Sequence, residues 1–214
     1  MRASLADQSL AIALGANLPS PVGDPIDTLV AVRPQLEGLV TAWWAGLERA
    51  GGDGAPSGPG SEPPHPHWSW SPLFATAPVG GPADQPIYCN AVLVVEGAPG
   101  SVAPCAQAAL ELLQALHQLE QRYGRQRRAR WGPRSLDLDL LWWGGLICSG
   151  PSLELPHPRW QERGFVLAPL LAIERRRGQR LACPHPAGLQ SAAVAVALAE
   201  PLPQPLPPRS GWPE

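Results

Sequence analysis

Apolar residues recur at strand or helix spacing along the chain, and their order sets out its elements. Ser9 to Leu14 is a short apolar run that stops at Gly15-Ala16-Asn17, a strand ending in a turn. Asp24-Pro25 supplies an N-cap and a first helical residue, and Ile26, Leu29, Val30, Leu36 and Val40 continue at helical spacing. Pro34 falls inside that stripe, where a proline costs about 3 kcal/mol and is expected to kink or break the helix. Trp68–Thr76 and Ile87–Glu96 read as strands, the second as a nearly continuous Ala-Val-Leu-Val-Val run suited to the centre of a sheet. Leu112, Leu116, Leu119 and Tyr123 mark the buried stripe of a long helix from about Ser101 to Tyr123. Leu136–Trp143 is a further strand, and a shorter helix is expected to start near Arg159 and run through Phe165-Val166-Leu167.

This β-α-β-β-α-β order predicts an α+β fold of the ferredoxin-like kind, an antiparallel sheet with a C-terminal helical extension. Residues 1–185 are expected to form one domain. Residues 50–66 hold mostly Gly, Pro and Ser without periodicity and read as a disordered loop insertion. From Pro184 the chain turns Ala- and Pro-rich, and 186–214 is expected to be a loose tail.

The net charge of -2 gives no general attraction to nucleic acid or anionic membrane. There is no lysine; all sixteen basic residues are arginine. A Walker A loop needs its lysine on the phosphates, so a P-loop nucleoside triphosphatase is excluded, and any phosphate must be held by guanidinium forks. No apolar run reaches the roughly 18 residues of a membrane span, and no basic-then-apolar leader opens the sequence, so a cytoplasmic protein is expected. Cys89, Cys105, Cys148 and Cys183 are scattered without C-x-x-C spacing and read as buried thiols rather than a zinc site or disulfide framework.

The chemistry concentrates at Arg130-Trp131-Gly132-Pro133-Arg134-Ser135-Leu136-Asp137-Leu138-Asp139-Leu140. From Leu136 the residues alternate apolar and acidic, so the leucines face a core. Asp137 and Asp139 then project together from the other face, roughly 6.5 Å apart at strand rise. Carboxylates that close raise one another's pKa unless a cation or several donors neutralise them. Six arginines lie between residues 122 and 134. Paired carboxylates suited to Mg²⁺ beside forks suited to phosphate describe a site for a metal–polyphosphate complex, hence a nucleotide-using enzyme.

The Arg130–Asp139 segment resembles the signature of the 6-hydroxymethyl-7,8-dihydropterin pyrophosphokinase family of folate biosynthesis. Further stretches match in the family's order: Leu14-Gly15-Ala16-Asn17-Leu18, Thr76-Ala77-Pro78, Gln85-Pro86-Ile87-Tyr88-Cys89-Asn90-Ala91, and Leu155-Pro156-His157-Pro158-Arg159 with Arg163-Gly164-Phe165-Val166-Leu167. The resemblance implies transfer of a pyrophosphoryl group from ATP to 6-hydroxymethyl-7,8-dihydropterin, with release of AMP. It implies two Mg²⁺ ions on Asp137 and Asp139, with Asp137 near the pterin hydroxymethyl group, and catalytic roles for Arg125 and Arg134. Glu120, Arg125, Arg134, Leu140, His157 and Arg163 are implied in ATP binding, Leu140 through its backbone. Thr76, Pro78, Val79, Tyr88, Asn90, Trp131, Asp137 and Phe165 are implied around the pterin, with Tyr88 and Phe165 as an aromatic sandwich. Arg122, Arg127, Arg128 and Arg130 have a plainer reading as a solvated basic loop, and Trp68, Trp70, Trp142 and Trp143 as core or strand-face residues.

The expected partners are ATP and the pterin, with no nucleic acid or membrane, and a monomer is expected. Two other classes stay open: a degenerate, non-catalytic pterin or nucleotide binder, against which stands the retention of Asp137, Asp139, Arg134, Asn90 and His157, and a ferredoxin-like RNA-binding module. Against the second, no strand carries an RNP-type aromatic motif, and paired acids on the open sheet face repel phosphate.

Overall fold

The computed structural model describes residues 9–50, 66–96, 103–126, 131–184, 189 and 203–213; most of the expected insert, with Arg127, Arg128 and Arg130, lies outside them. The elements run β1 (Leu10–Ala16), α1 (Pro25–Ala50), β2 (His67–Trp70), β3 (Phe74–Thr76), β4 (Tyr88–Glu96), α2 (Ala106–Arg122) and β5 (Asp137–Trp143). A small hairpin of β6 (Cys148–Ser149) and β7 (Glu154–Leu155) follows, then a 3-10 turn at Trp160–Glu162, α3 (Gly164–Arg177) and the short strand β8 (Gln204–Pro205).

The main sheet is ordered β5-β1-β4-β3-β8, with β2 also paired to β4, and each of these pairings is antiparallel. Side-chain alternation gives β1, β4 and β5 two working faces. Leu10, Ile12, Leu14, Leu93, Val95, Leu138 and Leu140 pack under α1 and α2. Ala11, Ala13, Val92, Val94, Leu141 and Trp142 pack against Val166, Leu167, Leu170 and Ile173 of α3. Burial on both faces explains why β4 reads as a continuous apolar run. No helix among the described residues is long and apolar enough to cross a membrane.

Several expectations need correction. Helix α1 runs unbroken through Pro34. Leu29, Val32, Leu36 and Val40, all fully buried, clamp it to the sheet on either side of the proline. At about 1.5–3 kcal/mol each, their burial outweighs a proline penalty of about 3 kcal/mol. The single strand expected over Trp68–Thr76 is two. Trp70 pairs with Leu93 and Phe74 with Asn90, so Ser71, Pro72 and Leu73 oppose only Ala91 and Val92 in a bulge. Pro72 cannot donate to a ladder, and Ser71 Oγ accepts the Val92 N–H at 3.0 Å in compensation.

Helix α2 begins at Ala106 rather than near Ser101, and the helix expected from Arg159 is a 3-10 turn before α3. Of the four thiols only Cys89 is buried, and burial pushes it up to about 12; Cys105 is exposed at the start of α2, and Cys148 and Cys183 are half-buried. Residues 203–213, expected to be loose, lie along the edge of the sheet and bury Trp212.

Candidate active site

Helices α1 and α2 cover one face of the sheet completely, whereas α3 covers only part of the other. The open part is a row across three strands: Asp137 pairs with Gly15, and Gly15 with Asn90. Gly15 keeps the row low. A Cβ there would come within 2.7 Å of Asn90 Oδ1, so only glycine leaves the Asn90 amide its present position. A cavity of about 330 Å³ opens over this row, the size of a small planar ligand.

Asp137 and Asp139 project into the cavity from alternate positions of β5, as the alternation predicts. Arg134 Nη1 lies 2.7 Å from Asp137 Oδ2, and Arg125 Nη1 lies 2.5 Å from Asp137 Oδ1. Arg163 Nη1 approaches Asp139 Oδ2 at 3.3 Å. Burial, reinforced by the negative charge of Asp137, nevertheless raises Asp139 to about 6. The free site is thus a carboxylate pair held by three guanidinium groups.

Those arginines are themselves anchored. Glu120, 1 % exposed on the last turns of α2, accepts the Leu138 N–H at 2.8 Å and pairs with Arg125. It ties α2, β5 and Arg125 together from below the cavity. Asn17 Oδ1 accepts the Arg134 N–H at 2.8 Å while its amide donates to Pro86 O at 3.1 Å, joining the turn after β1 to both motif loops.

A bulge in β5 positions the histidine. The register between β1 and β5 slips between Ala11 and Ile12, so Leu141 stands unpaired and its carbonyl accepts the His157 N–H at 2.7 Å. His157 Nδ1 accepts the Arg159 N–H at 3.2 Å, which leaves the ring proton on Nε2. Burial, with the Arg163 charge adding to it, lowers this imidazole to about 4. At neutral pH it is a neutral donor rather than a cation.

The aromatic end of the cavity is bounded by Tyr88 and Phe165, with Arg163 5.4 Å from the centre of the Phe165 ring. Asn90 Nδ2 donates to Thr76 Oγ1 at 2.5 Å, which fixes which way its amide faces. The lip continues through Ala77, Pro78, Val79 and Gly80. Gln85 Nε2 lies 3.2 Å from both Gly80 O and Trp131 O, linking that lip to the motif loop. Trp131 is half-exposed in a left-handed backbone conformation, φ 56°, with Arg159 5.6 Å above its ring.

The structure therefore gathers Thr76, Pro78, Val79, Tyr88, Asn90, Arg125, Trp131, Arg134, Asp137, Asp139, His157, Arg163 and Phe165 around one cavity. Two residues implied by the resemblance stand elsewhere. Glu120 lies beneath Arg125, and the Leu140 side chain packs in the core under α1 and α2. Arg122 is exposed at the end of α2. Gly15, Gln85 and Arg159 line the cavity without having been singled out, although each belongs to a matching motif. Among the described residues no cluster of three or more His, Cys, Asp or Glu side chains could hold a metal alone. Two carboxylates do suit Mg²⁺, which is commonly held by one or two of them with waters and substrate phosphates.

With this geometry in place, comparison with known proteins decides the family. Residues 61–175 match the family model described as 7,8-dihydro-6-hydroxymethylpterin-pyrophosphokinase, which covers β2 through most of α3 and all but the β1 part of the cavity. The chain belongs to this family. A Pseudomonas aeruginosa 2-amino-4-hydroxy-6-hydroxymethyldihydropteridine pyrophosphokinase is 45% identical over 100 residues, which is 47% of this chain and 56% of that protein. A Haemophilus influenzae protein of the same name is 40% identical over 103 residues, covering 48% of this chain and 59% of the relative. The Arabidopsis thaliana folate synthesis bifunctional protein, mitochondrial, is 44% identical over 103 residues, 47% of this chain but 17% of that much longer protein. The chain thus matches somewhat more than half the length of these two bacterial relatives. As a family member it carries all the motif residues quoted above.

Proposed function

We propose that this pyrophosphokinase-family chain transfers a diphosphoryl group from ATP to 6-hydroxymethyl-7,8-dihydropterin, releasing AMP. The observation that carries the reading is the meeting, in one cavity, of the Asp137–Asp139 pair, three arginine forks and an aromatic slot with an amide at its side. The names of the relatives agree with it.

In the reaction the pterin hydroxymethyl oxygen forms a bond to the β-phosphorus. The bond from that phosphorus to the α,β-bridging oxygen breaks, AMP departs with the bond's electrons, and the hydroxyl proton is released to solvent. Asp137 and Asp139 would hold Mg²⁺ together with phosphate oxygens, and the bound ions would neutralise phosphate charge and acidify the hydroxyl. Arg125 and Arg134 neutralise Asp137 in the free protein, and their forks would be available to phosphate were that carboxylate to hold metal. There they stabilise charge growing on the leaving phosphate. His157 donates from Nε2, and Arg163 supplies a second donor on the same side. Tyr88 and Phe165 enclose the pterin ring, and Asn90 meets its amide edge with complementary donors and acceptors.

The test is to incubate the protein with ATP, Mg²⁺ and the dihydropterin and to separate the nucleotides. Equimolar AMP and pterin diphosphate are expected. ADP as product, or binding of both substrates without turnover, would overturn the reading.

A further inference from the structure

The bulge between β2 and β3 leaves the carbonyls of Ser71, Pro72 and Leu73 off the β4 ladder, and buried carbonyls need donors. Ser71 Oγ serves Pro72 O at 2.8 Å. The other two are served from residues 203–213. Trp212 Nε1 donates to Ser71 O at 2.8 Å, and the Leu206 N–H donates to Leu73 O at 2.8 Å. The same segment pairs Pro205 with Phe74 and Gln204 with Ala75, which gives β3 a second neighbour.

Trp212 is the anchor. It is 8 % exposed and packs edge-to-face on Trp70, with ring centroids 5.1 Å apart. Trp70 in turn donates to Glu37 on α1 at 2.8 Å, and Arg33 Nε of α1 donates to Gly211 O at 3.1 Å. The segment is a strap from α1 over the bulge to the outer edge of β3. It lies outside the residues that match the family model. Strand β3 has only three residues, and the residue that ends it, Thr76, fixes Asn90 and begins the cavity lip.

We propose that residues 203–213 position the Thr76–Gly80 lip, with Trp212 as the positioning residue, and thereby set affinity for the heterocyclic substrate rather than for nucleotide. The proposal rests on the reading above only in naming the pterin as what the lip meets. The arginines and carboxylates stand on β5, the loop after α2 and the turn before α3, which the strap does not touch.

The experiment compares full-length Trp212→Ala and Trp212→Phe with the natural chain by amide hydrogen exchange and by equilibrium binding of pterin and of an ATP analogue. In Trp212→Ala, amides of residues 73–80 should exchange about tenfold or more faster, with β1 and β5 unchanged. Pterin affinity should fall about fivefold or more while analogue affinity stays within about twofold. Trp212→Phe, which keeps the packing and loses the N–H, should recover most of both. Unchanged exchange at 73–80, or equal losses for both ligands with protection falling throughout, would overturn the proposal. If the natural chain binds no pterin, the functional reading fails and the exchange data alone decide the strap: faster exchange confined to 73–80 supports it, and unchanged exchange overturns it. If Trp212→Ala does not fold, Leu206→Pro, which removes the N–H given to Leu73, is read by the same criteria.

Discussion

Asp137 and Asp139 differ in the free protein although they share a strand face, and the difference separates catalysis from stability. Asp137 has two guanidinium partners at 2.5 and 2.7 Å, so Asp137→Asn takes the carboxylate from Arg134 and leaves Arg125 with Glu120 as its one remaining ion pair. Asp139 has one, at 3.3 Å, and its folded pKa lies above its ordinary value, so at pH 7 its ionised form costs stability. Both Asn variants should lose turnover by about two to three orders of magnitude or more. Melting temperature should fall for Asp137→Asn and hold or rise for Asp139→Asn; near-normal turnover in either at saturating Mg²⁺ contradicts the metal assignment. His157 gives a pH signature of opposite sense. Its folded pKa of about 4 lies below the ordinary 6.5, so the unfolded chain takes up the proton first as pH falls. Its stability contribution is present above 6.5 and lost between 6.5 and 4. In urea titrations the natural chain should lose more stability than His157→Gln between pH 7 and 5, and parallel curves would show the imidazole is not depressed. These residues were legible in the sequence because the alternation at 136–140 and the short motifs identify side chains directly. The neutral state of His157 was not, because it depends on burial and on Arg163, six residues away.

Individual elements were legible where burial alone decides a segment's fate, on one face in α1 and α2 and on both faces in β4. Register was not. Periodicity in Leu138-Asp139-Leu140-Leu141-Trp142-Trp143 shows only that alternation fails after Leu140. That the failure is a bulge freeing the Leu141 carbonyl for His157 follows from pairing with β1. Likewise the break at Ser71–Leu73 is set by what β4 offers across the ladder, and the survival of α1 through Pro34 by the core beneath it. Gly15 shows how far the site depends on such pairing. It stands between Asp137 and Asn90, and a methyl group there reaches Asn90 Oδ1 at 2.7 Å. Asn90 cannot rotate away without breaking its 2.5 Å bond to Thr76. Gly15→Ala should therefore raise the pterin KM by about tenfold or more while leaving nucleotide binding within about twofold. An unchanged pterin KM would mean that the Asn90 amide is not a recognition group.

At the scale of the whole molecule, the site exists because the two faces of the sheet are covered unequally. Helices α1 and α2 complete one core, and α3 covers the other face only from Ala13 and Val92 outward, leaving the Asp137–Gly15–Asn90 row open. The strap at 203–213 was invisible to pattern reading because a proline-rich run has no apolar period; its hold comes from bonds to residues about 130 to 180 positions away, such as Ser71 and Arg33. Composition alone therefore does not make a segment dispensable, and for the Gly/Pro/Ser stretch at 51–65 the position of its two ends decides. Helix α1 ends at Ala50 and β2 starts at His67, opposite Glu96 at the far end of β4 from Tyr88 and Asn90. The cavity lining contains no residue of β2 or of the last turns of α1. Loop-closure free energy changes by only about 0.6 kcal/mol for each doubling of length, so exchanging the stretch for about six Gly/Ser residues should barely alter stability. Steady-state parameters for both substrates should stay within about twofold and the melting temperature within about 4 °C, the shift expected for about 1 kcal/mol in a chain this size. A collapse of turnover with the melting temperature preserved would show that the stretch reaches the cavity from the far end of the sheet, and a reach of that kind requires an ordered course that its composition does not supply on its own.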